Sequence, residues 1–415
     1  MSKFPWRRAL LVLAVALAAL LLARMETPRV IRVGPVTSPA GDHARLPRLM
    51  PMPDGGIIMS WVEPAGDRQH VLKYAVLREG QWVREGVVAQ GGGWFVNWGD
   101  FPSVVAIDDT FWVAHWLVKQ SGGGTYDYDI ALAISDDAGM NWRPAGSPHR
   151  DGKAAEHGFA SIFPDRGGAG ILWLDGSDYV AMGHGHETHH AGNFALMYTR
   201  VLEDGSMEQE QVVDANTCTC CWPAVAAVSD GIVAAWRGRT DDEIRDNRVA
   251  RLTGGSWTES QPLGDEGWRI AGCPVNGPAL AARRDNVLAA WFTAEGDRPR
   301  VRAAVSRDGG RTFAVPVDLD ARQPLGRIGA LWLDDEHALV TWMANAEGKT
   351  SRLIARVVDV RGEVGGQFEL GRLSAGRDSG VPQVAQEGDH LYLAWTLPEP
   401  EYGIVVGRVP LGLFR

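Results

Sequence analysis

The sequence lacks a basic excess. Its 51 acidic residues outnumber its 41 lysines and arginines, giving a net charge of -10. A phosphate backbone needs a basic footprint, so this balance argues against nucleic acid as a partner. No long single-sign run or low-complexity tract appears, which leaves no disordered tail beyond an N-terminal linker. No long helical period interrupts the chain. Gly91-Gly-Gly and Gly122-Gly-Gly lack the strand–loop–helix setting of a phosphate loop. No lipobox cysteine follows the N-terminal apolar run, which argues against a lipoprotein. That run, Ala9 to Ala23, is short of the roughly 20 residues a membrane span needs.

The same run is preceded by Lys3, Arg7 and Arg8 and closed by Arg24. A basic segment followed by an apolar one of this length suits an export signal. No small-x-small cleavage site follows, since Leu21 stands two before Ala23. Residues 1–25 are therefore expected to be either an uncleaved signal anchor or a cleaved signal peptide, the only membrane contact of the chain. Residues 26–42 read as a linker and closing strand, and 43–415 as one β-propeller domain. The body would then work outside the cytoplasm, anchored to the membrane and facing the periplasm or exterior, or secreted. Disulfides are permitted there.

What the chain does have is glycine, tryptophan and a repeat. Among 50 Gly and 17 Trp, seven segments share one pattern: a short apolar strand, a turn with Asp or Gly, then a second strand carrying Trp. The tryptophans are Trp61, Trp116, Trp173, Trp236, Trp291, Trp342 and Trp395, spaced 51 to 63 residues apart. That is the period of propeller blades rather than of helical repeats. The first strands read Leu46-Pro-Arg-Leu-Met, Phe101-Pro-Ser-Val-Val, Phe159-Ala-Ser-Ile-Phe, Trp222-Pro-Ala-Val-Ala, Gly277-Pro-Ala-Leu-Ala, Gly329-Ala-Leu-Trp-Leu and Val381-Pro-Gln-Val-Ala. The expected fold is all-β: four-stranded antiparallel blades, strands A to D outward from the axis, seven blades preferred and six the fallback. The last unit offers three strands, and Val30 to Val36 could supply its outer one, closing the ring and removing free sheet edges.

Two segments read Ser-x-Asp-x-Gly-x-x-aromatic: Ser135 to Trp142 and Ser306 to Phe313. Degenerate copies stand at Arg78-Glu-Gly-Gln-Trp82 and Thr253-Gly-Gly-Ser-Trp257. This Asp-box resembles the repeat of the sialidase (neuraminidase) superfamily. Its own chemistry is that of a turn, with Gly supplying positive φ and Asp bonding the turn's backbone. The resemblance covers the body as architecture and implies a site as well. Arg45-Leu46-Pro47 stands where that family has an arginine motif, with Ala44 in place of the aromatic. Asp67 matches the family's acid/base position, and Tyr402 with Glu401 matches its nucleophile pair. Seven repeats instead of six depart from the family.

In this topology D–A connections and B–C loops share one face, and two groups fall on it. Arg45, Arg327 and Arg377 precede A strands in blades one, six and seven, and arginine forks suit a carboxylate or phosphate. Cys218 and Cys273 each lie five residues before an aligned proline on adjacent blades, with Cys220 and Cys221 between. The run Gly183-His-Gly-His-Glu-Thr-His-His190 brings His184, His186, His189 and His190 to the preceding blade, and Glu156 and His157 precede its A strand. Such thiolates and imidazoles could hold copper or zinc. The cysteines could equally form disulfides, Cys218 to Cys273 stapling two blades, or present a reactive thiol. Trp268, Asn276 and Asn97 could offer a stacking ring or hydrogen bonds.

The reading that follows is an exported propeller, either ligand-binding or a glycoside hydrolase-like or metal-dependent hydrolase, that takes an anionic small molecule or glycan on this face beside a Cys/His cluster for a metal. The alternatives are an exo-sialidase-like hydrolase and a non-catalytic scaffold with disulfide staples.

Overall fold

The computed structural model describes residues 27–182 and 189–414. The apolar N-terminal run lies outside them, as do His184 and His186. Seven antiparallel blades form the body. Their inner A strands are Arg45–Pro51, Ser103–Ala106, His157–Asp165, Ala224–Val228, Ala279–Arg283, Pro324–Trp332 and Gln383–Glu387. Each pairs with a B strand, and each B strand with a C strand, as the antiparallel hairpin pattern requires. B strands such as Ile57–Pro64 and Gly168–Asp175 are buried on both faces, which explains their nearly unbroken apolar runs. The outer strand Gln81–Gly92 instead alternates exposed and half-buried residues.

The ring closes as expected from the sequence. Gly34–Val36 pairs antiparallel with Gly403–Pro410 and completes blade 7. Arg29–Val30 adds a parallel strand outside blade 6. Closure also shows in the core. Among the described residues, seven apolar clusters cover the seams between neighbouring blades, and the one between blades 3 and 4 also extends across the axis. The last seam joins Leu49, Ile57 and Trp61 of blade 1 to Tyr392, Ala394 and Val406 of blade 7. The repeat tryptophans serve these seams. Trp61, Trp173, Trp236, Trp291 and Trp342 are at most 1% exposed. Each donates its indole N–H to a carboxylate: Glu63, Asp175, Asp214, Glu266 and Asp320 respectively.

Both full Asp-boxes are turns between strands C and D. Ser135 Oγ donates to Asp137 and accepts the Gly139 N–H at 2.8 Å. Ser306, Asp308 and Gly310 repeat the arrangement. Gly139 has φ +87°, and an added Cβ would meet Trp112 and the Tyr74 hydroxyl at 2.9 Å. Tyr74 also donates to the Gly139 carbonyl at 2.8 Å, so this turn ties blade 2 to blade 1.

The A strands of all seven blades line an axial cavity of about 780 Å³. On the D–A face it is capped by Leu46, Phe101, Phe159, Trp222 and Val381, which come from five blades and meet in one cluster.

Candidate functional site

Among the described residues, three places on the D–A face carry chemistry: the axis, the seam of blades 4 and 5, and the seam of blades 2 and 3.

At the axis, the A strands of blades 1, 3 and 6 begin with a bulge. The bulged residues Leu46, Phe159 and Arg327 share a positive φ of 58°, 53° and 55°. Each bulge N–H is taken by a side chain from elsewhere in the ring: Thr396 Oγ1 at 3.2 Å, Asp100 Oδ1 at 2.8 Å and Asn276 Oδ1 at 2.7 Å. Arg327 is thus the counterpart of Leu46 rather than of Arg45, and it lies inside an A strand rather than before one. The bulge shifts the register by one residue, which spacing alone could not reveal. Arg327 is buried, and its guanidinium donates to Ser379 Oγ and the Gly380 carbonyl, both at 2.8 Å. It also lies 4.7 Å from the Trp98 ring centroid. Burial pushes its pKa down to about 10. Exposed Arg377 sits in a short 3-10 turn before the blade 7 A strand, 6.0 Å from the same ring. Two of the three arginines therefore converge, on a half-buried tryptophan that the sequence reading missed. Trp98 lies in the blade 1 to blade 2 connection, outside the repeat, and nothing in its spacing marks it.

Arg45 stays exposed at the rim of blade 1, where its charge reaches Tyr402. Tyr402 is exposed, with φ 43°, and its hydroxyl bonds Glu399 rather than Glu401. Asp67 occupies the tip of the blade 1 B–C turn, with φ 37°. Among the described residues no hydrogen bond links Asp67 to Tyr402, whose hydroxyl is taken by Glu399.

At the seam of blades 4 and 5, Cys220 and Cys273 form a disulfide across a separation of 53 residues. The staple between blades is present, with Cys220 in the place expected for Cys218. Cys218 and Cys221 remain free and buried, their sulfurs 3.6 Å apart. Cys218 lies 3.9 Å from Cys220 Sγ. With two cysteines in the bridge, a metal held by all four thiolates and this disulfide are mutually exclusive. Burial disfavours a Cys218 thiolate. A hydrogen bond from Cys221 and the charges of Arg245 and Arg237 outweigh it and hold the thiol below its usual range. Arg237 ends the blade 4 B strand, Gly231–Arg237, and Arg245 lies in the loop that leads to the C strand, Asn247–Thr253. Arg237 is 1% exposed and donates to the carbonyls of Arg245, Asn276 and Phe292. Trp268 packs on Arg237 at 4.9 Å, and Asn276 spends its amide on Leu325 and Pro274. Both residues are structural rather than free for a ligand. His189 and His190 belong to a short hairpin strand, His189–Ala191, paired with Val180–Met182.

At the seam of blades 2 and 3, Tyr128 donates to Asp100 Oδ2 at 2.8 Å and Glu156 Oε1 at 3.0 Å. Burial raises the Asp100 carboxyl to about 7 and that of Glu156 to about 8. Beside them, Asp129, His149 and His157 bring three potential ligand atoms within 4.8 Å of one another.

No family model matches the sequence, and no curated protein matches it. Solved structures do. An ulvan lyase, described as a new family of polysaccharide lyase bound to -[GlcA(1-4)Rha3S]-, shares 12% identity at a TM-score of 0.54, over 90% of this chain and 95% of that one. A protein of unknown function from Dyadobacter fermentans shares 14% identity at a TM-score of 0.52, over 92% of this chain and 98% of that one. The fold is that of a seven-bladed β-propeller. The NanB sialidase of Streptococcus pneumoniae also aligns, at 9% identity and a TM-score of 0.49 over 86% and 84%. At these identities the likeness concerns the fold alone.

Proposed function

We propose that this propeller binds an acidic carbohydrate on its D–A face, at the axis. The observation that carries the reading is the convergence of Arg327 and Arg377 on Trp98. A half-buried indole offers a sugar an apolar platform. Exposed Arg377 offers a uronate or sulfate a planar fork, and buried Arg327 keeps the place positive from beneath. The ulvan lyase of like fold is bound to -[GlcA(1-4)Rha3S]-, and we carry that ligand class to this chain. The test is titration with a uronate-containing or sulfated oligosaccharide against a neutral one of equal length. The acidic ligand should bind in preference, and Arg377→Ala or Trp98→Ala should weaken it roughly ten- to a hundredfold. Equal binding of both ligands, or indifference to Arg377→Ala, would sink the reading.

A second reading concerns the sulfurs. The separations of 3.6 and 3.9 Å among Cys218, Cys221 and Cys220 match the edge of about 3.8 Å expected between thiolates on one tetrahedral metal. We infer that the chain takes copper or zinc there once the bridge is reduced. An additional metal equivalent that appears on reduction and is lost in Cys221→Ser supports this, and a stoichiometry unchanged by reduction contradicts it. The bridge itself fits an oxidising compartment, and with the basic and apolar N-terminus it supports export. Accumulation of the full chain in the cytoplasm would count against export.

A further inference from the structure

We propose that Asp129, His149 and His157 form a binding site for a first-row divalent metal of the zinc type at the seam of blades 2 and 3, separate from the cysteines. The three residues come from different elements. Asp129 is the second residue of the blade 2 C strand, Tyr128–Ser135. His149 lies in the connection that follows blade 2, and His157 opens the blade 3 A strand. The two imidazole rings stack in parallel, their centroids 3.7 Å apart and their planes 7° apart. Both face one carboxylate oxygen: Asp129 Oδ1 is 3.5 Å from His149 Nε2 and 3.3 Å from His157 Nδ1.

Those two nitrogens are buried without a hydrogen-bond partner. His157 is 0% exposed and His149 8%. The cause lies on the far side of the His157 ring. Its Nε2 faces Ser177 Oγ at 3.0 Å and Asp151 Oδ2 at 3.3 Å. In the tautomer with an N–H there serving both, Nδ1 is the bare nitrogen of the ring. A lone pair on Nδ1 then points at a carboxylate oxygen. A metal ion between the ring nitrogen and the carboxylate oxygen would be bound by both. His149 repeats the arrangement, its Nδ1 being 3.8 Å from Asp151 Oδ1 while Nε2 faces Asp129.

The spacing fits a small metal. Ligand atoms about 2.0–2.1 Å from a tetrahedral zinc stand about 3.3 Å apart, close to the 3.3 and 3.5 Å observed. Two imidazoles with one carboxylate suit zinc or its first-row neighbours rather than calcium, which takes oxygen ligands. Asp151 would be the outer partner of both imidazoles, orienting each through its second nitrogen as carboxylates do around bound zinc. Asp175, 3.8 Å from His157 Nε2, stands on the same outer side. Gln120 fixes Asp129 by an amide hydrogen bond. Asp129 keeps 38% of its side chain exposed, so solvent or a ligand can reach a fourth coordination position from that side. Three protein ligands with an open fourth position are the arrangement of catalytic rather than structural zinc.

The experiment uses the full chain, stripped with a chelator and left unreduced so that the Cys220–Cys273 bridge stays closed. Zinc is titrated calorimetrically, and cobalt(II) is followed by its visible absorption. One zinc per chain should bind with a Kd at or below about 1 µM. His149→Gln should weaken binding at least a hundredfold, and Asp151→Asn about ten- to a hundredfold. Cys218→Ser should leave it unchanged. Cobalt should give tetrahedral bands without the intense near-ultraviolet absorption of thiolate ligation. His149 lies in a connection rather than a strand, so its variant keeps the test open if His157→Ala does not fold. The proposal is overturned if the stripped chain takes up no zinc below about 100 µM. It is also overturned if binding survives His149→Gln, or if Cys218→Ser abolishes it.

Discussion

Two rims of the same face differ in how they treat their polar atoms. At the seam of blades 4 and 5 the free cysteines and the two arginines beside them are spent on neighbours, although Asn247 and Glu266 close by keep unpartnered atoms. Arg237 is consumed by three carbonyls, Arg245 by Glu243 and Cys218, and Cys221 by the Asn276 N–H. At the seam of blades 2 and 3, two buried imidazole nitrogens face a carboxylate with nothing between. The comparison teaches that a dense cluster of reactive residue types does not by itself mark a binding site. The rim rich in cysteine and arginine closes on itself and reads as architecture until its bridge is opened. The rim built of ordinary histidines and aspartates leaves valence unfilled.

The sharpest way to break this contrast is to remove one group from each rim. Arg237→Ala strands three buried carbonyls, so it should destabilise the chain by about 3–5 kcal/mol in urea unfolding. His149→Ala removes a side chain whose Nε2 has no partner, and should cost less than about 1 kcal/mol. Equal costs would erase the distinction. Cys220→Ser comes next. It opens the bridge between blades and should cost about 2–4 kcal/mol. In the unreduced native chain, Cys218 and Cys221 should resist a thiol reagent because both are buried. Two thiols should titrate on unfolding and four after reduction. Rapid labelling of the native chain would contradict the sealed rim.

A pH effect is third in size. Burial keeps the Asp100 carboxyl protonated up to about 7, whereas in the unfolded chain it ionises near its ordinary value of about 3.9. Between these values the folded state binds more protons, so this group's contribution to stability falls as pH rises through the window. Asp100→Asn should flatten that slope in thermal unfolding at a series of pH values. An unchanged slope would show that the carboxyl ionises freely. The smallest effect is expected at Asp67. It is exposed at a turn tip in a left-handed conformation that Asn tolerates. Asp67→Asn should shift stability by less than about 0.5 kcal/mol. A larger loss would mean that Asp67 has partners on this face.

The fold was legible because its signals are local and repeated. The B-strand tryptophans, the two Asp-boxes and the closing strand each follow from a few neighbouring residues. The site was less so, for three physical reasons. A bulge at Gly326 to Gly329 turns Arg327 inward, and a one-residue shift leaves no trace in spacing. Disulfide partners depend on where Cys220 and Cys273 come to rest, and sequence gives only the possibilities. The ligands Asp129, His149 and His157 come from three elements of two blades, so no motif spacing joins them. Trp98 shares that problem, being a single aromatic in a connection outside the repeat. The cysteine cluster drew attention because its members are adjacent, and adjacency along the chain is what sequence reading sees best.

The most direct test of the account is a crystal structure of the full chain soaked with an acidic oligosaccharide. Density for a sugar ring against Trp98, with its carboxylate or sulfate on the Arg377 guanidinium, is the result expected. An oligosaccharide seated elsewhere, or an axis left vacant at saturating ligand, would contradict the central claim.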